Sequence, residues 1–376
     1  MIHHDSRSYK EAASAAAKQA RVKMEDIIHR GVASAETVIN RVLETTVSDS
    51  IVRTNGVIVK PDPVVADRWR LYDGDSDRPM HHHAFSQVLA DTGVRKTFVD
   101  DVMAEAKNER WGTDLVAHNV NTILSHRKSR NLVRAEGGTV KGWLSDKYRR
   151  IDSRPLLESF VTACQEMGLQ PIQGVGTDTK VRVRAVLPRV FEPVENEVML
   201  FGLEWGNSDF GDGGHVVNLW TMRIWCTNLA ITDSCLRQVH LGPRLKEGIA
   251  YSQDTYDKDT AANSAALRDV VKDVIGPGRL NNLLDGVKAA SENEIQGKDV
   301  QAILKKHLGK GDAERIQAAY ESPDVVNLPA GNTQWRLSNA ISWIANAKDV
   351  TPEKKLELET LAGSLIPHTA VKAREV

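Results

Sequence analysis

Residues 202–232, GLEWGNSDFGDGGHVVNLWTMRIWCTNLAIT, decide the reading of the fold. The stretch reads as the end of one strand, a glycine-rich turn and a second, long strand. Val198, Leu200 and Gly202 alternate with Met199, Phe201, Leu203 and Trp205, the period of a strand. Gly206, Gly211, Gly213 and Gly214 are expected to supply the positive-φ positions of a wide hairpin, with Asn207, Ser208, Asp209 and Asp212 as turn residues. The second strand, 215–226, is apolar on both faces apart from Asn218, Thr221 and Arg223, so it is expected at the centre of its sheet.

Working outward, 180–187 is a further strand. Val181, Val183, Ala185 and Leu187 share its packing face, and Lys180, Arg182 and Arg184 share the other. Such cations lie about 6–7 Å apart, close to the phosphate spacing of an extended nucleic-acid strand. Helix 155–168 starts with Pro155 and presents Leu156, Leu157, Phe160, Val161, Cys164 and Met167. The expected fold class is α+β: an antiparallel β-meander core of 140–144, 180–188, 197–206 and 215–227, packed by that helix and framed by N- and C-terminal helices.

Towards the N-terminus, an alanine-rich pattern predicts helices over 8–30 and 35–46, divided at Gly31 with Ser34 as N-cap. A hairpin is expected around Asn55-Gly56, then a polar loop over 73–79. His81-His82-His83 reads as the lead-in to a helix, since adjacent extended histidines do not converge on one metal. Helices follow over 84–92, 95–108 and 113–125, then strands on either side of Gly137-Gly138. Residues 171–179 read as turns and 237–244 as a basic loop. Helices are expected over 258–275, 279–291, 298–307, 312–321, 334–346 and 352–365. This divides the chain into an extension (1–79), an α+β core (80–240) and a C-terminal helical region (241–376).

Charge adds a functional hint. The formal net charge is −1, but residues 127–189 hold thirteen Lys or Arg against six Asp or Glu, 13 − 6 = +7. Residues 190–222 hold six acidic residues and no basic ones. The three cysteines, Cys164, Cys226 and Cys235, have no paired spacing and read as reduced core thiols. No apolar run is long enough for a membrane span, and no phosphate-binding loop or cofactor motif is present.

Three signatures, LSDKYRRID (144–152), GLEWGNSDFG (202–211) and RIWCTN (223–228), resemble those of a large phage- and plasmid-encoded family of unknown function. Residues 85–93 and 332–341 are similar to that family's first and last helices, so the resemblance covers about 80–366. Asp209 stands where a glutamate is usual, and Leu229 where a glycine is. The resemblance implies a mobile-element origin, hence the host cytoplasm, and no particular activity. Asp146, Asp152, Asp209 and Arg223 are the catalytic candidates in these motifs. No Ser/His/Asp or Cys/His arrangement accompanies them, so a non-enzyme is favoured. The functional expectation is a nucleic-acid-binding protein of phage DNA metabolism, with single-strand annealing as its sharpest form. Its expected contacts are Lys147, Tyr148, Arg149, Arg150, Lys180, Arg182, Arg184 and Arg223, with Tyr148 for base stacking. The alternative is an assembly or host-takeover protein. Residues 8–46 are expected to pack against another subunit or a partner, and the chain is expected to form a homo-oligomer.

Overall fold

The computed structural model describes residues 12, 14–65, 68–107, 109–225, 228–240, 251–322, 325 and 328–367. Two sheets carry the α+β fold. The first contains β1 (Val47–Arg53), β2 (Ile58–Pro61), β3 (Trp69–Tyr72), β4 (Asp77–Met80), β5 (Arg130–Glu136) and β6 (Thr139–Ser145). The second contains β7 (Gln170–Gly176), β8 (Val181–Val186), β9 (Phe191–Val194), β10 (Glu197–Asn207), β11 (His215–Arg223) and β12 (Asn228–Gln238). The helices are α1 (Ala15–Glu44), α2 (His82–Thr92), α3 (Lys96–Ala106), α4 (Arg110–Ser125), α5 (Ser153–Glu166), α6 (Gln253–Val274), α7 (Pro277–Glu292), α8 (Gly297–His307), α9 (Lys310–Glu321), α10 (Gln334–Ala345) and α11 (Pro352–Ser364).

The two strands of the opening stretch form as read, but β10 runs on through Gly206 and Asn207, and of the four expected turn glycines Gly211 and Gly213 alone take positive φ. Strands β10 and β11 pair antiparallel, Phe201 opposite Thr221 and Gly206 opposite Val216. β11 lies inside the order β12-β11-β10-β8-β7 and is covered on both faces. Val217 and Leu219 join the core under α5 and the C-terminal helices, while Trp220, Met222 and Ile224 pack on the opposite side. Cys226, expected beside them, lies outside the described residues. Gly202 has a packing role: a Cβ there would sit 2.1 Å from the Ala185 carbonyl oxygen and 2.2 Å from the Trp220 ring.

One expected sheet is really two. Residues 140–144 belong to β6, which pairs with β5 rather than with the meander. Their place in the second sheet is taken by β7, in the stretch expected to be turns. The 79/80 division also cuts through a sheet, because β1 pairs with β5 and Met80 of β4 pairs in parallel with Val140 of β6. Residues 73–79 turn tightly and then form most of β4. The Asp73 carboxylate accepts from the Ser76 amide at 2.9 Å, closing that hairpin.

Strands β1 and β2 do not form the expected hairpin, although a short turn at Thr54–Gly56 joins them. They stand at opposite ends of the order β1-β5-β6-β4-β3-β2. Five strand spacings of a flat sheet would separate those edges by about 24 Å. The connecting residues reach at most about 18 Å, so the sheet curls around its contents. Those contents include Val59, Leu71, Val133, Val140 and Trp143, closed over by Phe85, Val88, Val116 and Val120 of α2 and α4.

The N-terminal helix is continuous through Gly31, against the expected break. A Cβ on Gly31 would lie 1.8 Å from the Ile172 carbonyl oxygen, so the glycine serves close approach to β7. Ser34 is correspondingly inside the helix, where its hydroxyl bonds the Gly31 carbonyl at 2.8 Å. Ala17, Ala20 and Met24 pack with Ile172, Val186, Val198 and Trp220 of the same chain. The expectation that these helices need another subunit rested on their having no partner, and α1 has one in cis.

Candidate functional site

Two of the three signatures, 144–152 and 202–211, meet at a polar junction between the sheets. Arg134 of β5, only 1% exposed, is its centre. Its guanidinium donates to Asp49 at 2.8 Å, to the Asp209 carbonyl oxygen at 2.8 Å and to Asp152 at 2.6 Å. The Asp209 carboxylate accepts from the Ser153 amide and hydroxyl at 2.7 and 2.9 Å. Asn207 donates to the Ile151 carbonyl at 2.8 Å, and its side-chain oxygen lies 3.0 Å from Nε2 of His240. His240 stacks on Tyr148, with ring centroids 4.9 Å apart. The glycine-rich turn is pinned from the other side, where Gln87 of α2 donates to the Phe210 carbonyl at 2.8 Å.

Electrostatics follow from burial. Desolvation raises the Asp209 carboxyl from 3.8 to about 6, against the pull of Arg134. Desolvation also lowers His215 and His240 to about 4, so both are neutral at pH 7. Because the folded state holds the Asp209 proton more tightly, this contribution favours folding below about pH 4 and is lost as pH rises through about 6. The rise from 3.8 to about 6 corresponds to about 3 kcal/mol. Urea midpoints should therefore show Asp209→Asn gaining on the wild type as pH increases from about 4.5 to about 7.5. Parallel pH profiles for the two proteins would contradict a buried carboxyl that resists ionisation.

Most of the cations expected to touch nucleic acid are engaged inside the molecule. Arg149 makes a two-pronged contact with Asp259, at 2.7 and 2.5 Å. Arg150 lies 3.2 Å from Asp49 and over the Tyr256 ring. Arg223 is buried and binds both oxygens of Glu197, at 2.5 and 2.7 Å, and Glu197 also accepts from Trp335 of α10. Arg184 is 9% exposed, held by Glu204 at 2.7 Å and Glu359 of α11 at 2.6 Å. Tyr148 is stacked on His240 and donates to the Ser208 carbonyl, so its ring is no open platform for a base. The charge pattern explains part of this. The acidic run 190–222 supplies Glu204 and Asp212 to Arg184 and Lys180 of the basic run and Glu197 to Arg223, while Asp259 and Asp49 meet Arg149 and Arg150 from elsewhere in the chain.

Of the catalytic candidates, Asp152 and Asp209 come together around Arg134, while Asp146 and Arg223 lie in other pairs. Asp146 pairs with Arg130 at 3.4 Å, Asp152 with Arg134, and Asp209 is enclosed. Among the described residues, no group of three or more His, Cys, Asp or Glu side chains could hold a metal ion. The signature residues act as locks between sheets and helices; Asn228 does the same by donating to the Asn339 carbonyl of α10 at 3.1 Å.

Lys147 and Arg182 keep outward character. Lys147 is exposed on its turn. The Arg182 side chain is 31% exposed, and its closest carboxylate, Glu204, is 3.7 Å away and already bound to Arg184. Arg182 opens onto a groove of about 660 Å³ between the second sheet and α11. Sheet register builds this groove. Arg182 pairs with Gly206, Gly206 with Val216, and Val216 with Arg237, which puts all four in one row. In-register neighbours share a face, so two arginines flank a floor of glycine and valine. Asn218, Ser234, Thr360 and Ser364 are among its polar lining, with Lys180, Asp212 and Asp233 at its charged positions. Sequence reading placed Arg237 in a loop and gave Gly206 only a turn role; the signal for their partnership is a register that no single strand displays. No family model matches the chain, and neither a curated protein nor a solved structure does.

Proposed function

We propose that this chain binds single-stranded nucleic acid in the groove between β8–β12 and α11, as an accessory of phage DNA replication or recombination. The observation that supports this reading most is the row Arg182–Gly206–Val216–Arg237. Three strand spacings separate the two arginines by about 14 Å at the backbone. A single strand lying between them can meet a guanidinium on either side. The groove's carboxylates are already engaged, Asp212 by Lys180 and Asp233 by Arg279, so its free charge is positive. A volume of about 660 Å³ suits a nucleotide-sized segment. Among the described residues no tyrosine, tryptophan or phenylalanine lines it, so phosphate and hydrogen-bond contacts carry the affinity, and annealing is the sharper form of the proposal. The sequence resemblance adds the mobile-element setting and the host cytoplasm. No described helix is long and apolar enough to cross a membrane.

The double variant Arg182→Ala/Arg237→Ala tests the reading. Oligothymidylate binding should weaken, and the slope of log affinity against log salt should shrink by about 1.4 for two lost contacts. Stability should stay within about 0.5 kcal/mol, since Arg184 still neutralises Glu204. A wild-type protein with no salt-dependent binding at about 50 mM salt would end the proposal.

A further inference from the structure

The first sheet ends in a group of cations that the groove does not use. Arg53, the last residue of β1, stands directly opposite Arg130, the first of β5. Like charges in that relation destabilise a strand pair. Arg127 and Lys128 lead into β5, and the pairing of Asn131 with Ser145 brings Lys147, just past β6, to the same sheet end. Arg53, Lys128 and Lys147 are exposed. Two carboxylates accompany them: Asp146, 3.4 Å from Arg130, and Asp91, which binds Arg127 at 2.5 Å and also accepts from the Trp143 indole. Five cations against two carboxylates leave 5 − 2 = +3 at one end of one sheet.

The frame beneath is fixed. Buried Thr54 donates its amide to the Ser129 carbonyl at 3.0 Å, and its hydroxyl bonds Asn131 at 2.7 Å. These tie the β1 turn to the start of β5. Charges that only guard an edge strand would sit on β1 alone. Here they come from β1, β5 and the turn after β6, which is how a surface for closely spaced anions is built.

We infer that this sheet end is a second binding surface for a nucleic-acid phosphate backbone, separate from the groove, so that one chain engages two segments. The naming of nucleic acid rests on the proposed function; the surface itself rests on the opposed arginines and the exposed lysines. Its contacts are to phosphate, so it is indifferent to base sequence.

The experiment is a salt series with a long oligothymidylate, comparing wild type, Lys128→Ala/Lys147→Ala, Arg182→Ala/Arg237→Ala and a control, Lys305→Ala/Lys306→Ala. The control lysines are exposed on α8, which contributes no residue to the groove or to the sheet-end cluster. The sheet-end variant should lose about 1.4 from the salt slope, with the control unchanged and the two active pairs combining to about 2.8. Thermal melts confirm that the exposed lysine variants remain folded. An unchanged slope in Lys128→Ala/Lys147→Ala overturns the second surface, whatever the groove variant does. An equal fall in the control also overturns it, because any lysine would then serve. Loss of slope in the groove variant alone leaves the proposed function standing without the second surface. No binding by the wild type removes both.

Discussion

Arg184→Met should lower the unfolding free energy by about 3–5 kcal/mol, the cost of removing one partner from a buried ion network. Glu204 and Glu359, each 1% exposed, both rely on this guanidinium. After the substitution the described partners of Glu204 are Arg182 at 3.7 Å and the Asn218 amide at 3.3 Å, and that of Glu359 is Lys355 at 3.9 Å. Burial already raises the Glu359 carboxyl and lowers Lys355, so neither is a comfortable remaining ion. Glu359 should take up a proton in the variant, and a group with a raised folded pKa loses its contribution as pH rises. The Arg184→Met protein should therefore recover part of its stability on acidification. Urea denaturation at two pH values measures both effects, and a loss below about 1 kcal/mol would mean that water reaches the network. The same substitution separates two readings of this strand face. A phosphate-binding Arg184 would affect oligonucleotide affinity at constant stability, whereas a staple between β8, β10 and α11 affects stability first.

Arg134→Met is expected to be equally costly, about 3–5 kcal/mol, with a different signature. It strips the Asp209 carbonyl, Asp49 and Asp152 of one shared donor and leaves the Asp209 carboxyl without the cation that opposes its desolvation. That carboxyl should then titrate above about 6, moving the wild-type pH dependence upward. The damage is local to the junction, so amide exchange should quicken first in the turn 208–214, which Gln87 and Arg134 pin by its carbonyls. Retained exchange protection in that turn, with a small stability loss, would remove Arg134 from its central place.

These two arginines differ in how legible they were. Arg184 was marked from alternation along its strand, and alternation correctly assigned its face. What it could not give was the opposing surface: Glu204 lies one strand away and Glu359 comes from a helix 175 residues later. Arg134 was read only as part of a basic run. Its role depends on three acidic residues at 49, 152 and 209, which meet only when two sheets abut.

By itself the sequence determined what short-range chemistry controls. Strand alternation set β8, β10 and β11, glycine-rich turns set the β10–β11 and β5–β6 hairpins, and helical spacing set α5 and the six C-terminal helices. Gly137 and Gly138, both at positive φ, mark such a turn directly. Only the tertiary structure decided that there are two sheets, that α1 runs unbroken through Gly31, and that Arg182 and Arg237 face one groove. The physical reason is common to all three. A glycine that ends a helix and one that lets a helix touch a strand look alike in sequence, because the difference is a backbone oxygen supplied by residue 172. Whether a cation is free or neutralised likewise depends on strand register and on carboxylates brought across the fold, and these long-range pairings leave no local periodicity to read.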